Sequence, residues 1–216
     1  MIKEKLITQE QMLKIMDFGD KAVIKIKKQD CSSSGFLCIS HFPDKTTLPV
    51  LITNNHMLNE NDITVGKKID FSLNDDKTFY QILIDESRKV YTSNLYDVTF
   101  IEIKKNDGLD ISSFIEVDPN IFFYDDRELN NKQVILLSYP EGKELAFSNG
   151  IIKNLENDGY HIKHLCNTTY GCAGGPIIDK DNFHVIAVHQ GTMKNKSFNL
   201  GIFLRRPLEE FIKINN

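Results

Sequence analysis

Between residues 21 and 103 the apolar residues fall into short runs, separated by polar breaks too brief to hold a helix. The runs are Ala22-Val-Ile-Lys-Ile26, Ser34-Gly-Phe-Leu-Cys-Ile39, Pro49-Val-Leu-Ile-Thr53, Lys68-Ile-Asp-Phe71, Tyr80-Gln-Ile-Leu-Ile84 and Val98-Thr-Phe-Ile-Glu-Ile103. Six strands in about 85 residues leave no room for crossover helices, so the pattern predicts antiparallel pairing in a barrel or sandwich. A polar, less periodic stretch with Asp118-Pro119 and Asp125-Asp126 follows, and then the runs resume. They read Gln133-Val-Ile-Leu-Leu137, Leu145-Ala-Phe147, Gly150-Ile-Ile-Lys153, Tyr160-His-Ile-Lys163, Gly175-Pro-Ile-Ile178, Val185-Ile-Ala-Val188 and Leu200-Gly-Ile-Phe-Leu204. The expected fold class is all-β: two packed six-stranded antiparallel β-barrels, with a cleft where they meet.

The ends read differently. Thr8-Gln-Glu-Gln11 has the form of a capping box, and Met12, Ile15 and Met16 supply an apolar stripe at helical spacing, so a helix is expected over residues 8–17. At the other end Pro207 suits a helix start, with Leu208, Phe211 and Ile212 on one face. The expected organisation is a helical segment at 1–20, an N-terminal barrel at 21–110, a linker at 111–131, a C-terminal barrel at 132–206 and a helix at 207–216.

Composition narrows the function classes. Apolar residues make up 41% of the chain, enough for a real core. Lys and Arg number 26 against 30 Asp and Glu, so no basic surface suggests a nucleic-acid partner. No apolar run approaches the ~20 residues of a membrane span. The start alternates charged and apolar residues, unlike a signal peptide, so a cytoplasmic location is expected. A core of this size does not need disulfides, so Cys31, Cys38, Cys166 and Cys172 are expected to be reduced thiols. Cys166 with His161 and His164 lacks the second ligand cluster that a zinc site requires, and no metal or other cofactor is expected.

Three local patterns carry chemistry. Thr53-Asn-Asn-His56 ends an apolar strand, Asp97-Val-Thr-Phe100 opens another in the same half, and Gly171-Cys-Ala-Gly-Gly-Pro176 makes a tight turn in the second half. Their order resembles that of the chymotrypsin (trypsin-like) serine protease family, whose motifs are T-A-A-H, D-[IV]-A-L and G-D-S-G-G-P. The resemblance covers roughly residues 20–212 and implies a chymotrypsin-like fold, a serine endopeptidase activity and a protein or peptide substrate. It implies His56 as general base and acid, Asp97 as the carboxylate that orients it, and position 173 as the nucleophile's place. The amides of Gly171 and residue 173 would then face the developing oxyanion.

Position 173 is alanine, which has no nucleophile. Either a serine was replaced to give an inactive form, or the chain is a natural pseudoprotease that binds peptides without cutting them. The intact His56, Asp97 and turn glycines favour the replacement. Cys172 is a third candidate nucleophile, but the motif's register turns its side chain away from His56. In trypsin-like zymogens that position holds an Asp that pairs with a new N-terminus, so a regulatory protein partner is expected instead. The resemblance also assigns the substrate pocket to Asn167, Thr168, His189, Gln190 and Gly191. His189 sits where glutamyl endopeptidases and viral chymotrypsin-like cysteine proteases carry a His, and Thr168 resembles a Thr of those viral enzymes. An imidazole and a hydroxyl together can donate to a carboxyl or carboxamide oxygen, so cleavage after Glu or Gln is expected. His41, His161, His164 and His184 have no partner pattern and read as structural or exposed.

Overall fold

The computed structural model describes residues 6–28, 31–192 and 197–215, so the first five residues of the expected 1–20 segment lie outside the described residues. Helix α1 runs Gln9–Ala22, longer than its apolar stripe suggested. Its start is set by the expected capping box: the Gln11 amide donates to Thr8 Oγ1, and the Thr8 amide donates to Gln11 Oε1. Ile15 and Ala22 anchor its buried face.

Eight strands make up the first half: β1 (Val23–Lys28), β2 (Cys31–His41), β3 (Thr47–Thr53), β4 (Lys68–Leu73), β5 (Thr78–Leu83), β6 (Val90–Ser93), β7 (Val98–Glu102) and β8 (Ile115–Glu116). They form one sheet in the order β5-β4-β1-β2-β3-β7-β6, with β8 joining β2 in parallel. The half is rolled but not closed by pairing, and it holds more strands than the six expected. The edge strand β5 fully buries Ile82 alone and leaves Phe79 and Leu83 exposed.

The second half is a closed six-stranded barrel in the order β10-β11-β14-β13-β12-β9. Its strands are β9 (Gln133–Ser138), β10 (Ala146–Leu155), β11 (His161–His164), β12 (Pro176–Asp179), β13 (Val185–Thr192) and β14 (Asn199–Phe203). The two runs around Leu145 and Ile151 are one strand, β10, which pairs with β9 along its first part and with β11 along its last. Near-continuous burial of Val134–Leu137 and Val185–Val188 fills the barrel, since a closed sheet this narrow is packed solid by its own side chains.

Helix α2 (Arg205–Asn215) leaves the second half and returns to the first. Phe211 packs against Phe42, Tyr91 and Phe100, and Glu210 accepts hydrogen bonds from Tyr91 and Tyr96 at 2.8 Å each. No helix among the described residues is long and apolar enough to cross a membrane. The four cysteines are unpaired, Cys31 at the surface and the others buried.

Candidate active site

Strand pairing brings the first two motifs together. β3 runs antiparallel to β7 with Thr53 opposite Thr99, so the exit of one strand lies against the entry of the other. His56 follows β3 and Asp97 precedes β7. The His56 ring nitrogen Nδ1 lies 2.8 Å from Asp97 Oδ2 and 3.0 Å from Oδ1, and the His56 amide donates to Oδ1 at 2.9 Å. A carboxylate can only accept, so these contacts place the imidazole proton on Nδ1 and leave Nε2 as the basic edge. Asp97 holds a left-handed backbone, φ +49°, which Asp tolerates better than most residues.

Two residues that were not singled out from the sequence secure this pair. Asn54 donates from Nδ2 to the Asp97 carbonyl at 3.0 Å, and Asn55 donates to Thr92 at 2.7 Å. They stand where the family motif has alanines, and that departure was the available signal. Through them the turn bearing His56 is tied to the Asp97 backbone and to β6, the strand that leads into the Asp97 turn.

The Gly-rich turn lies on the second half and is clasped by β2 of the first. The Ala173 carbonyl accepts from the Ser34 amide at 2.8 Å and from Ser33 Oγ at 2.7 Å, while Ser34 Oγ donates to the Gly171 carbonyl at 2.9 Å. Gly174 has φ +85°, and a Cβ there would stand 1.9 Å from the Ser34 carbonyl oxygen; only glycine fits this docking. The turn's carbonyls are thus bound from behind. Among the described residues, neither the Gly171 nor the Ala173 amide donates to a protein group. Two free N–H groups at this place are what an oxyanion hole requires.

His56, Gly171, Ala173, His189 and Gly191 line one cleft of about 490 Å³, together with Cys31 and Ser33 of β2. The remaining expected pocket residues fall elsewhere. Asn167 and Thr168 line a second, slightly larger cavity of about 560 Å³ behind the 167–172 segment, beside Ser148 and Phe147. Thr168 keeps a link to the first cleft, because its hydroxyl lies 3.0 Å from that of Thr192 in the cleft wall. Gln190 lines neither space, and its buried side-chain oxygen has no partner among the described residues. Cys172 lines the second cavity and not the cleft with His56, in line with the register expected of it.

His189 is buried within β13, with Nδ1 3.1 Å from His164 Nε2 and 3.1 Å from the Leu200 carbonyl oxygen. Burial pushes the His189 ring down to about 3, and the adjacent His164 adds to the effect; burial likewise pushes His164 down to about 4. Both rings are therefore neutral near pH 7. Among the described residues no three His, Cys, Asp or Glu side chains form a group able to hold a metal ion.

Comparison with known proteins agrees with this architecture. The family model described as "Trypsin-like peptidase domain" matches residues 33–188, well over half of the chain. No curated protein sequence matches the chain. Among solved structures, a serine endoprotease from Yersinia pestis is similar with a TM-score of 0.67 at 14% identity, covering 98% of this chain and 68% of its own. A Glu endopeptidase in complex with MPD is similar with a TM-score of 0.64 at 17% identity, covering 90% of each chain. Rv3671c from Mycobacterium tuberculosis H37Rv, solved as an inactive serine-to-alanine mutant, gives 0.59 at 18% identity and covers 91% of this chain and 87% of its own.

Proposed function

The chain belongs to the trypsin-like peptidase family, and from that membership we propose a serine endopeptidase whose nucleophile position, 173, carries alanine in this sequence. With serine at 173, His56 Nε2 takes the hydroxyl proton as the oxygen attacks the scissile carbonyl. Asp97 holds the ring and stabilises the imidazolium that forms. The Gly171 and 173 amides accommodate the oxyanion, a contribution of about 3 kcal/mol for one such donor. The tetrahedral intermediate collapses, His56 returns the proton to the leaving amine, and an acyl ester remains on 173. Water then repeats the sequence, with His56 again as base, and releases the acid. With alanine the first bond cannot form, so this chain binds peptide without cutting it.

The observation that carries the reading is one cleft lined by His56, Gly171 and residue 173, with Asp97 bonded to the His56 ring and with two amides that donate to no protein group among the described residues. The test is Ala173→Ser assayed on a peptide library. Hydrolysis that disappears again on His56→Ala supports the enzyme. Silence, with peptide still bound, would make the chain a natural pseudoprotease.

The same reading extends to specificity. His189 in the cleft wall and Thr168 behind Thr192 support cleavage after Glu or Gln, and a Glu endopeptidase is among the structures sharing this fold. Dominant cutting by the Ala173→Ser form after Arg, Lys or Phe would end that part. Cys172 cannot form the ion pair of a trypsin-like zymogen, which supports control by a protein partner; full activity of the isolated Ala173→Ser form would contradict it. The four unpaired thiols support a cytoplasmic location, testable by fractionation.

A further inference from the structure

His56 sits in a turn that its neighbours close: the Asn54 carbonyl accepts from the Met57 and Leu58 amides at 3.2 and 3.1 Å. The His56 ring is half-exposed, so packing does little to fix it. Its place is set by the Asp97 carboxylate and by the backbone of this turn. One chain of hydrogen bonds grips the turn on both sides of His56. Before it, Asn55 reaches Thr92 of β6 at 2.7 Å. Thr92 Oγ1 lies 2.6 Å from Thr99 Oγ1 of β7. Thr99 then reaches the Leu58 carbonyl, after His56, at 2.5 Å. Thr92 and Thr99 stand directly opposite each other in the β6–β7 register, so the middle link is built into the sheet.

The proton directions along this chain follow from one end. A carbonyl only accepts, so Thr99 gives its single hydroxyl hydrogen to Leu58. Thr99 must then accept from Thr92. Thr92, whose hydrogen is thereby engaged, accepts in turn from the Asn55 carboxamide N–H. All three bonds run one way, an order in which each polarises the next. Asn55, Leu58 and Thr99 are buried, which shields the chain from bulk water. Thr99 also belongs to the strand that Asp97 opens, so the chain joins the strand of the acid to the turn of the base.

We infer that Thr92 and Thr99 are positioning residues of the proposed peptidase: through Asn55 and the Leu58 carbonyl, their hydroxyls hold the turn of His56 where proton transfer from residue 173 requires it. This rests on the proposed serine endopeptidase and adds to it two groups that touch neither substrate nor the reacting atoms. Asp97 fixes how the ring faces, but residue 173 stands on the other half of the molecule, and only a fixed turn keeps the ring in register with it. A displacement of about 1 Å between reacting groups costs about 10²-fold in rate.

Thr99→Val keeps the shape of the side chain and removes the hydroxyl, whereas Thr99→Ser keeps the hydroxyl and removes a methyl group. In the Ala173→Ser background, with rates referred to folded protein, Thr99→Val should lower kcat by about 10–100-fold and change KM by less than about threefold. Thr99→Ser should recover most of that loss. A fall in kcat under about threefold, a change confined to KM, or an equal loss in Thr99→Ser overturns the inference. A second measurement is read without turnover, on the protein as it stands with Ala173. Proton NMR should show the His56 Nδ1–H protected from exchange with water. Thr99→Val should speed that exchange at least about tenfold, and Thr99→Ser should restore the protection. The buried Val188 amide of the closed barrel should exchange alike in all three proteins. Equal exchange of the His56 proton in all three overturns the inference, and so does faster exchange of Val188 alongside it, which marks a loss of fold. If Ala173→Ser does not cut while the exchange pattern holds, the failure is that of the proposed enzyme and not of the hydroxyl chain.

Discussion

The two halves of the molecule treat histidine in opposite ways. In the open first half His56 stands half-exposed against a carboxylate that only accepts; in the closed second half His189 is buried against another imidazole. The same side chain presents a free ring nitrogen beside water in one place and is a buried, neutral ring in the other. Partner and burial decide which. The open sheet leaves its strand ends in solvent, where the base we propose would meet substrate. The closed barrel has the interior needed to strip two rings of water.

The comparison breaks most sharply at His56. In the Ala173→Ser background, His56→Ala should lower kcat/KM by about 10³–10⁴-fold, and Asp97→Asn should approach that loss, because the amide cannot hold the same tautomer. Kinetics on one good peptide checks both; a loss under tenfold for either contradicts the assigned roles. Gly174→Ala tests the join between the halves. A methyl driven into the Ser34 carbonyl at a left-handed φ should cost more than about 3 kcal/mol, read from urea unfolding.

Acid should weaken the second half through its buried pair. Each unfolded ring takes up a proton near 6.5, whereas the folded rings resist until about 4 and about 3. The unfolded state thus binds more protons across that window. Stability is intact above pH 6.5 and falls on acidification, by about 1.4 kcal/mol per pH unit for each ring. Unfolding midpoints followed from pH 7.5 to 4.5 should show this slope, and His164→Gln should roughly halve the pair's share. The smallest effect sharpens the contrast from outside. Thr8→Ala removes the cap of α1 and should cost about 1 kcal/mol with no change in peptide binding, measured by thermal unfolding and titration.

Most of this frame was legible in the sequence, because period-two runs and capping residues are local signals. The Thr8–Gln11 box forms as written, and His56 meets Asp97 because each abuts a readable strand. What escaped was non-local or brief. β6 has four residues following the charged Arg88 and Lys89, and the two-residue β8 is defined only by its parallel pairing with β2. β10 looked like two strands since polar Ser148 and Asn149 interrupt its apolar run, while its backbone pairing to β9 continues through them. The separation of Asn167 and Thr168 from the His189 cleft depends on which side of one segment faces which cavity. The bond between His164 and His189 depends on barrel closure, which no window of sequence displays.

The most direct measurement of the central claim is intact-mass and peptide mapping of the Ala173→Ser protein after treatment with a fluorophosphonate. A single adduct at residue 173, absent from the alanine form and from the His56→Ala double variant, is the predicted result. No adduct on the folded protein, or one at another residue, would contradict an activated hydroxyl at this turn.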